Sequence, residues 1–367
     1  MTNNVVPHFV QLRIGTVGSL EVKLPAVVVG PTLGPKSIVI AGSHGNERTG
    51  FWILKKLLDE LQRASINRCI MFLPVANPVA FALNVRVDPL THVDLNRVFP
   101  GNTDGTIVDR IAKIISTIVQ GRSPVKELSA ELEIGDSGIS RSEAEHYFEL
   151  PVDLVVDLHT FGLQLSEPTG ILATSGLQVS SAEERSRELL LLASPKMVWW
   201  IDASDALTVG YRGSLGPYLS SLGIPNFAIE TQDLPLATSK VVERIVSGLM
   251  VVLGDRGTGT ISSGSQESRF SSRRIPIYRR HWQRSSHAGL FLPEKRISKA
   301  SIGRSFSRGQ VIGQFISTNN LSAAVVKAEW SCDLNYEKLD LMLIAQGLVG
   351  TGDEVCSWGE LVGSLGE

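Results

Sequence analysis

The chain has 367 residues, more than one hydrophobic core usually takes, so two domains are expected. Hydrophobic residues make up 43% and charged residues 20%, which is ordinary for a globular protein and excludes whole-chain disorder. The formal net charge of −2 provides no global basic field to hold a nucleic acid.

Val5–Ile14 and Leu20–Val29 read as strands, with a turn at Gly15–Gly18. Ser37–Ala41 is a short β-branched run without alternation, suited to a strand buried on both faces. It stops at Gly42-Ser43-His44-Gly45, and helical spacing follows from Thr49 to Leu61. Cys69–Pro74 is the next strand, Asn77–Leu83 a short helix, and the stretch to Gly101 a loop. Thr106–Gln120 has helical spacing, Gly121–Gly138 is polar and reads as a mobile loop, and Arg141–Glu149 is helical again. Val152–Leu158, Gly170–Thr174, Met197–Ile201 and Asn226–Ile229 read as further strands. Helices at Ala182–Leu192, Ser214–Leu222 and Ser239–Leu253 alternate with them or follow. This alternation predicts an α/β fold: a mixed, mostly parallel sheet with helices on both faces. Ligands in such sheets bind beyond the carboxyl ends of the strands.

Composition shifts at Gly254. Residues 254–272 are nearly free of apolar side chains and read as a linker between a catalytic domain at 1–253 and a small all-β domain at 273–367. Within the latter, Arg273–Arg284 mixes arginines with aromatics and reads as a strand with a solvated basic face. Cys69, Cys332 and Cys356 have no CxxC spacing and suit a reducing compartment. No signal peptide is visible at the N-terminus, and the longest apolar runs are too short to span a bilayer. A cytoplasmic enzyme with neither a nucleic-acid nor a membrane partner is expected; homo-oligomerisation stays open.

Four short motifs each sit just past a predicted strand. His44-Gly45-Asn46-Glu47 places an imidazole and a carboxylate three residues apart, and zinc takes such N and O ligands. Alone, the same residues also read as the ordinary start of a helix, with His44 as its cap and Glu47 in its favoured first turn. Asp157-Leu158-His159 offers a third ligand from another strand end, and Asp157 a carboxylate that can orient an imidazole. Glu230 ends a strand where a carboxylate suits a general base. Arg86 and the loop Asp94-Leu95-Asn96-Arg97 supply two arginines, one to polarise a carbonyl and one to hold a carboxylate.

In this order the motifs resemble the succinylglutamate desuccinylase/aspartoacylase family of zinc carboxypeptidase-like hydrolases. The matching text is GSHGNERTG at 42–50, NPVAFALNVR at 77–86, DLNRVFPG at 94–101, DLH at 157–159 and AIE at 228–230. The resemblance implies one zinc ion per chain on His44, Glu47 and His159. It implies Glu230 as general base and acid, Arg86 on the scissile carbonyl, and Asn96 and Arg97 on a substrate carboxylate. Asp94 supports that loop. The sequence departs from the aspartoacylase pattern before Glu230, where Tyr211-Arg212-Gly213 and Tyr218 stand.

The expected function is therefore zinc-dependent hydrolysis of a linear amide. A small acyl group, acetyl or similar, is removed from an N-acyl amino acid or related small metabolite. The alternatives are a metallocarboxypeptidase acting on short peptides and, from another class, a non-catalytic binding protein on the same fold.

Overall fold

The structure, a computed structural model, describes residues 6–135, 138–162, 164–174, 180–202, 209–234, 237–254, 274–330, 336–351 and 353–366. The chain opens with the hairpin β1 (His8–Val17) and β2 (Leu20–Val29), then β3 (Lys36–Ala41), α1 (Thr49–Arg63), β4 (Cys69–Leu73) and α2 (Pro78–Leu83). Next come α3 (Ile107–Val119), α4 (Pro124–Leu128), β5 (Glu131–Ile134), α5 (Arg141–Glu149), β6 (Val152–Thr160), β7 (Leu165–Ser166) and β8 (Thr169–Thr174). α6 (Ser181–Ala193), β9 (Met197–Asp202), α7 (Leu215–Ser221), β10 (Asn226–Thr231) and α8 (Ser239–Gly254) complete this part. The remainder is β11 (Ile275–Arg284), β12 (Gly289–Pro293), β13 (Ser305–Ser307), β14 (Val311–Ser317), β15 (Ala323–Lys327), β16 (Lys338–Ile344), β17 (Gly347–Val349) and β18 (Glu354–Leu365).

Among the described residues the main sheet runs β13-β16-β18-β11-β9-β8-β10-β6-β3-β4-β2-β1-β5, with β7 beside β16. It is mixed. β10, β6, β3 and β4 lie parallel at its centre, and antiparallel pairings flank them. β3, β4 and the inner part of β6 are buried on both faces, which is why their sequences run apolar without alternation. α1, α6 and α8 cover one face with an apolar core that includes Leu57, Leu189 and Leu249. α3, α5 and α7 cover the other through residues such as Ile111, Phe148 and Leu219. A second, antiparallel sheet of β15-β14-β12-β17 forms in the C-terminal part. No helix among the described residues is long and apolar enough to cross a membrane.

Three expectations need correction. The loop expected at Gly121–Gly138 contains α4 and β5, and β5 extends the sheet by pairing with β1. Its polar residues face solvent and pair with charges on β1 and β2, as in Arg13–Glu131 and Lys23–Glu133. The first turn lies later than Gly15, because β1 continues to Val17 across a bulge between Arg13 and Gly15. In the Arg-rich strand β11, Arg280 and His281 are buried instead of solvated. Glu354 takes both oxygens to Arg280 Nη2 at 2.8 and 2.7 Å, and Glu360 Oε2 lies 2.9 Å from His281 Nε2.

The expected linker lies outside the described residues except for Gly254, which closes α8. We propose a catalytic domain at 1–253, a linker at 254–272 and a C-terminal part at 273–367 whose β11 joins the main sheet through a parallel pairing with β9. Cys69 and Cys356 are buried free thiols, and burial pushes the Cys69 thiol up to about 12, so neither is poised to react. Cys332 lies outside the described residues.

Candidate active site

The centre of the sheet brings the predicted residues together. β10, β6 and β3 are parallel neighbours, so their carboxyl ends point the same way. His44 and Glu47 follow β3, His159 lies near the end of β6, and Glu230 pairs in register with His159 on β10. The sharp path after β3 needs its glycines. Gly42 has φ +70°, and a Cβ on Gly45 would fall 2.0 Å from the Ala80 carbonyl carbon of α2. Helix α1 is fixed from outside the motif: Asp233 Oδ1 accepts from the backbone N–H groups of Arg48 and Thr49, both at 2.9 Å. His44 therefore does not cap the helix; Asp233, just past the end of β10, satisfies its first donors.

His44 Nδ1 lies 2.7 Å from Glu47 Oε1, and His159 Nδ1 lies 2.9 Å from Glu47 Oε2. All three side chains are buried, and their ligand atoms lie within 4.8 Å of one another. The outer nitrogens are held separately. His44 Nε2 is 3.0 Å from Asp94 Oδ1, and His159 Nε2 is 2.8 Å from Asp157 Oδ2 and 3.2 Å from Asn96 Nδ2. Two imidazoles thus turn Nδ1 inward while carboxylates fix their far sides, the usual support for metal-binding histidines. The buried Nδ1 of His44 has no hydrogen-bond partner despite its closeness to Glu47. Two inward Nδ1 atoms, that of His44 orphaned, and the Glu47 carboxylate between them fit a zinc ion with room for a further ligand.

The charges are strongly coupled. Burial opposes protonation of His44 and His159, yet Glu47 with Asp94 or Asp157 outweighs it and raises both above the ordinary imidazole value. Burial likewise opposes ionisation of Glu47, but the two histidines hold its carboxyl well below the usual range. A cation on these ligands would take the place of those protons. Glu230 moves the other way. Burial, then the Glu47 charge, pushes its carboxyl up to about 7, and its Oε2 is buried without a partner.

The arginines occupy different stations. Arg86 Nη1 donates to Glu47 Oε1 at 2.8 Å and Arg86 Nη2 approaches Asp94 Oδ2 at 3.7 Å, while the side chain stays 48% exposed. Arg97 Nη1 donates to the Asn96 carbonyl at 2.6 Å and to Ser214 Oγ at 3.1 Å, with its guanidinium 4.4 Å over the Tyr211 ring. Asn96 Oδ1 accepts from Leu215 N at 2.8 Å. The DLNR loop is thereby stitched to the start of α7. A cavity of about 100 Å³ opens here, bordered by His44, Arg86, Arg97, His159, Tyr211 and Glu230. His92 and Tyr218 do not border it.

Asp233, Ser214 and Arg280 carry no signal of a site role in the sequence, and Tyr211, noted there only as a departure from the aspartoacylase pattern, proves to be the ring under Arg97. Arg280 sits 4.5 Å from the Trp199 ring behind the cavity wall and lowers the Glu230 pKa a little from there. Each acts across a long sequence separation, so no local pattern marks it.

Residues 33–123 match the model of the succinylglutamate desuccinylase/aspartoacylase catalytic domain. A 104-residue stretch is 31% identical to an N-alpha-acetyl-L-2,4-diaminobutyric acid deacetylase of Halomonas elongata, covering 28% of this chain and 30% of that protein. Over nearly the whole chain the fold resembles a succinylglutamate desuccinylase/aspartoacylase from Rhodobacter sphaeroides, with TM-score 0.70, 18% identity and coverage of 98% and 96%. It also resembles the product-bound ectoine utilization protein EutE (DoeB) of Ruegeria pomeroyi, with TM-score 0.68, 17% identity and coverage of 98% and 99%. The family match takes in His44, Glu47, Arg86 and the DLNR loop but stops before His159 and Glu230, which rest on geometry. By sequence, residues 33–123 match the catalytic-domain model of the succinylglutamate desuccinylase/aspartoacylase family, and nearly the whole chain has the fold of solved structures described under that family's name.

Proposed function

We propose that the protein is a zinc-dependent deacylase that hydrolyses the amide of an N-acyl amino acid or a related small metabolite. The observation that carries this reading is the convergence of His44 Nδ1, Glu47 and His159 Nδ1 beside Glu230, all at neighbouring strand ends. Zinc on those three residues would supply Lewis acidity and make a water molecule acidic enough to react near neutral pH. Glu230, with a carboxyl near neutrality, takes a proton from the attacking water and returns it to the departing nitrogen. Arg86 donates to the carbonyl oxygen as it gains negative charge. Asn96 and Arg97 hold a carboxylate of the substrate, with Arg97 kept in place by Tyr211 and Ser214. Asp94 and Asp157 hold the two imidazoles in orientation. The name of the Halomonas relative supports acetyl as the acyl group.

The test is steady-state hydrolysis by zinc-loaded protein of N-acetyl, N-succinyl and N-formyl amino acids, with short peptides alongside. Hydrolysis of N-acetyl amino acids with release of free amine is expected. Removal of C-terminal residues from peptides, with N-acyl amino acids untouched, would replace this reading by a carboxypeptidase. In the same assay Arg97→Ala should raise KM for substrates bearing an α-carboxylate by about tenfold or more, with a smaller change in kcat. An unchanged KM would remove Arg97 from substrate binding.

A further inference from the structure

The cavity does not end at the metal ligands. It continues along the sheet face beneath α7, and the strand register gives its layout. One step below the His159–Glu230 pair, Ala228 pairs with Asp157 on one side and Ile171 on the other, and Ile171 pairs with Trp199. One step further down, Val155, Ala173 and Ile201 border the same space. Leu215 and Leu219 of α7 lie over it. The slot exists because small residues stand in it. Ala228 and Ala173 leave the floor low, and a Cβ on Gly216 would already come within 3.1 Å of Ala173 Cβ.

The electrostatics of this slot are one-sided. Among the described residues bordering the cavity, Arg86 and Arg97 are the arginines, and no lysine borders it. Both belong to the loop that also carries Asp94, at the metal end. Arg280, behind Trp199, is bound by Glu354 and Ser357 and does not border the cavity. Asp157 does border it, and its Oδ1 is buried without a hydrogen-bond partner. A ligand carboxylate placed in the slot would meet mostly apolar walls, the Asp157 carboxylate and the Asn226 amide, whose Nδ2 already donates to Ser220 Oγ and the Ile224 carbonyl, so its lost hydration would be poorly compensated.

Building on the deacylase reading, we infer that this slot is a specificity subsite for a compact, uncharged aliphatic side chain of the amine half. The connectivity decides which half enters. Arg97 and Asn96 are bonded to Ser214 and Leu215, so the carboxylate clamp and the slot's roof form one unit. In an N-acyl amino acid the α-carboxylate and the side chain leave the same carbon. A carboxylate held at Arg97 therefore directs the side chain under α7. The whole cavity, metal end included, holds roughly 100 Å³, so the part under α7 admits only a compact side chain. Trp199 is the far wall and Ala228 the gate residue nearest the reacting groups.

The test is kcat/KM of zinc-loaded protein for the N-acetyl derivatives of alanine, leucine, aspartate and 2,4-diaminobutyrate, with wild type and Ala228→Val. The leucine derivative should exceed the aspartate derivative by at least about tenfold in wild type, and Ala228→Val should lower the leucine-to-alanine ratio by about tenfold. A preference for aspartate, or for the amine-bearing derivative through Asp157, would overturn the aliphatic assignment while leaving the deacylase reading intact. An unchanged ratio in a folded, zinc-loaded Ala228→Val would equally overturn it. Turnover of none of the four would sink the deacylase reading and the subsite together. The wild-type comparison stands without the variant if Ala228→Val does not fold.

Discussion

Replacing Glu230 by glutamine is expected to lower kcat by about 10²–10⁴-fold while zinc content stays at the wild-type level. Glutamine keeps the size and the strand position but can neither take a proton from water nor return one to nitrogen. Glu230 is not among the residues whose ligand atoms converge, so its loss should leave the metal in place. The pH dependence carries a sign. Glu230 works as a base only when ionised, and its carboxyl lies near 7 because burial and Glu47 disfavour the charge. Activity should therefore fall as pH drops through the Glu230 pKa. A bound cation lowers that pKa, so the acid limb of kcat/KM should lie below 7 in the loaded enzyme. Near-normal kcat in Glu230→Gln, or a rate that rises as pH falls through this window, would take Glu230 out of the mechanism.

Truncation of Arg86 should be the next most damaging change. Arg86→Ala is expected to cost about 10²–10³-fold in kcat, the usual scale for losing one preorganised donor to an oxyanion. Arg86 Nη1 is anchored on Glu47, yet nearly half of the side chain is exposed and it borders the cavity, so the guanidinium is both held and available. Arg86→Lys should recover only part of the loss, because an ammonium keeps the charge without the planar fork. Zinc content must be measured alongside, since the change also removes a partner of Glu47. A kcat within threefold of wild type in metal-replete Arg86→Ala would assign carbonyl polarisation elsewhere.

What could be read from the sequence depended on how local its cause was. Buried parallel strands announce themselves through unbroken apolar runs, and β2 and α5 fall where the residue pattern places them. HxxE and DLH were visible because each motif is short and sits at the end of such a strand, and DLNR because its four residues stand together in one loop. The polar stretch after Gly121 misled, because β5 earns its place by pairing with β1, more than a hundred residues earlier. Arg280 looked like one more solvated arginine, since Glu354 and Trp199 approach it only in the folded sheet. Asp233 gave no signal as the cap of α1, which lies 185 residues before it in the chain. The slot under α7 was invisible for a related reason: an alanine in a strand reads as filler until the elements opposite it are known.

The central claim is the metal site, and one titration tests it. Chelator-stripped wild-type protein is titrated with zinc while activity on an N-acetyl amino acid is followed, with His159→Ala as comparison. The expected result is saturation at one zinc per chain, activity rising in step, and proton release on binding, because His44 and His159 hold protons more tightly than free imidazole. His159→Ala should bind far more weakly and stay inactive. Verified metal-free protein that retains full turnover, or equal zinc affinity in His159→Ala, would contradict the account.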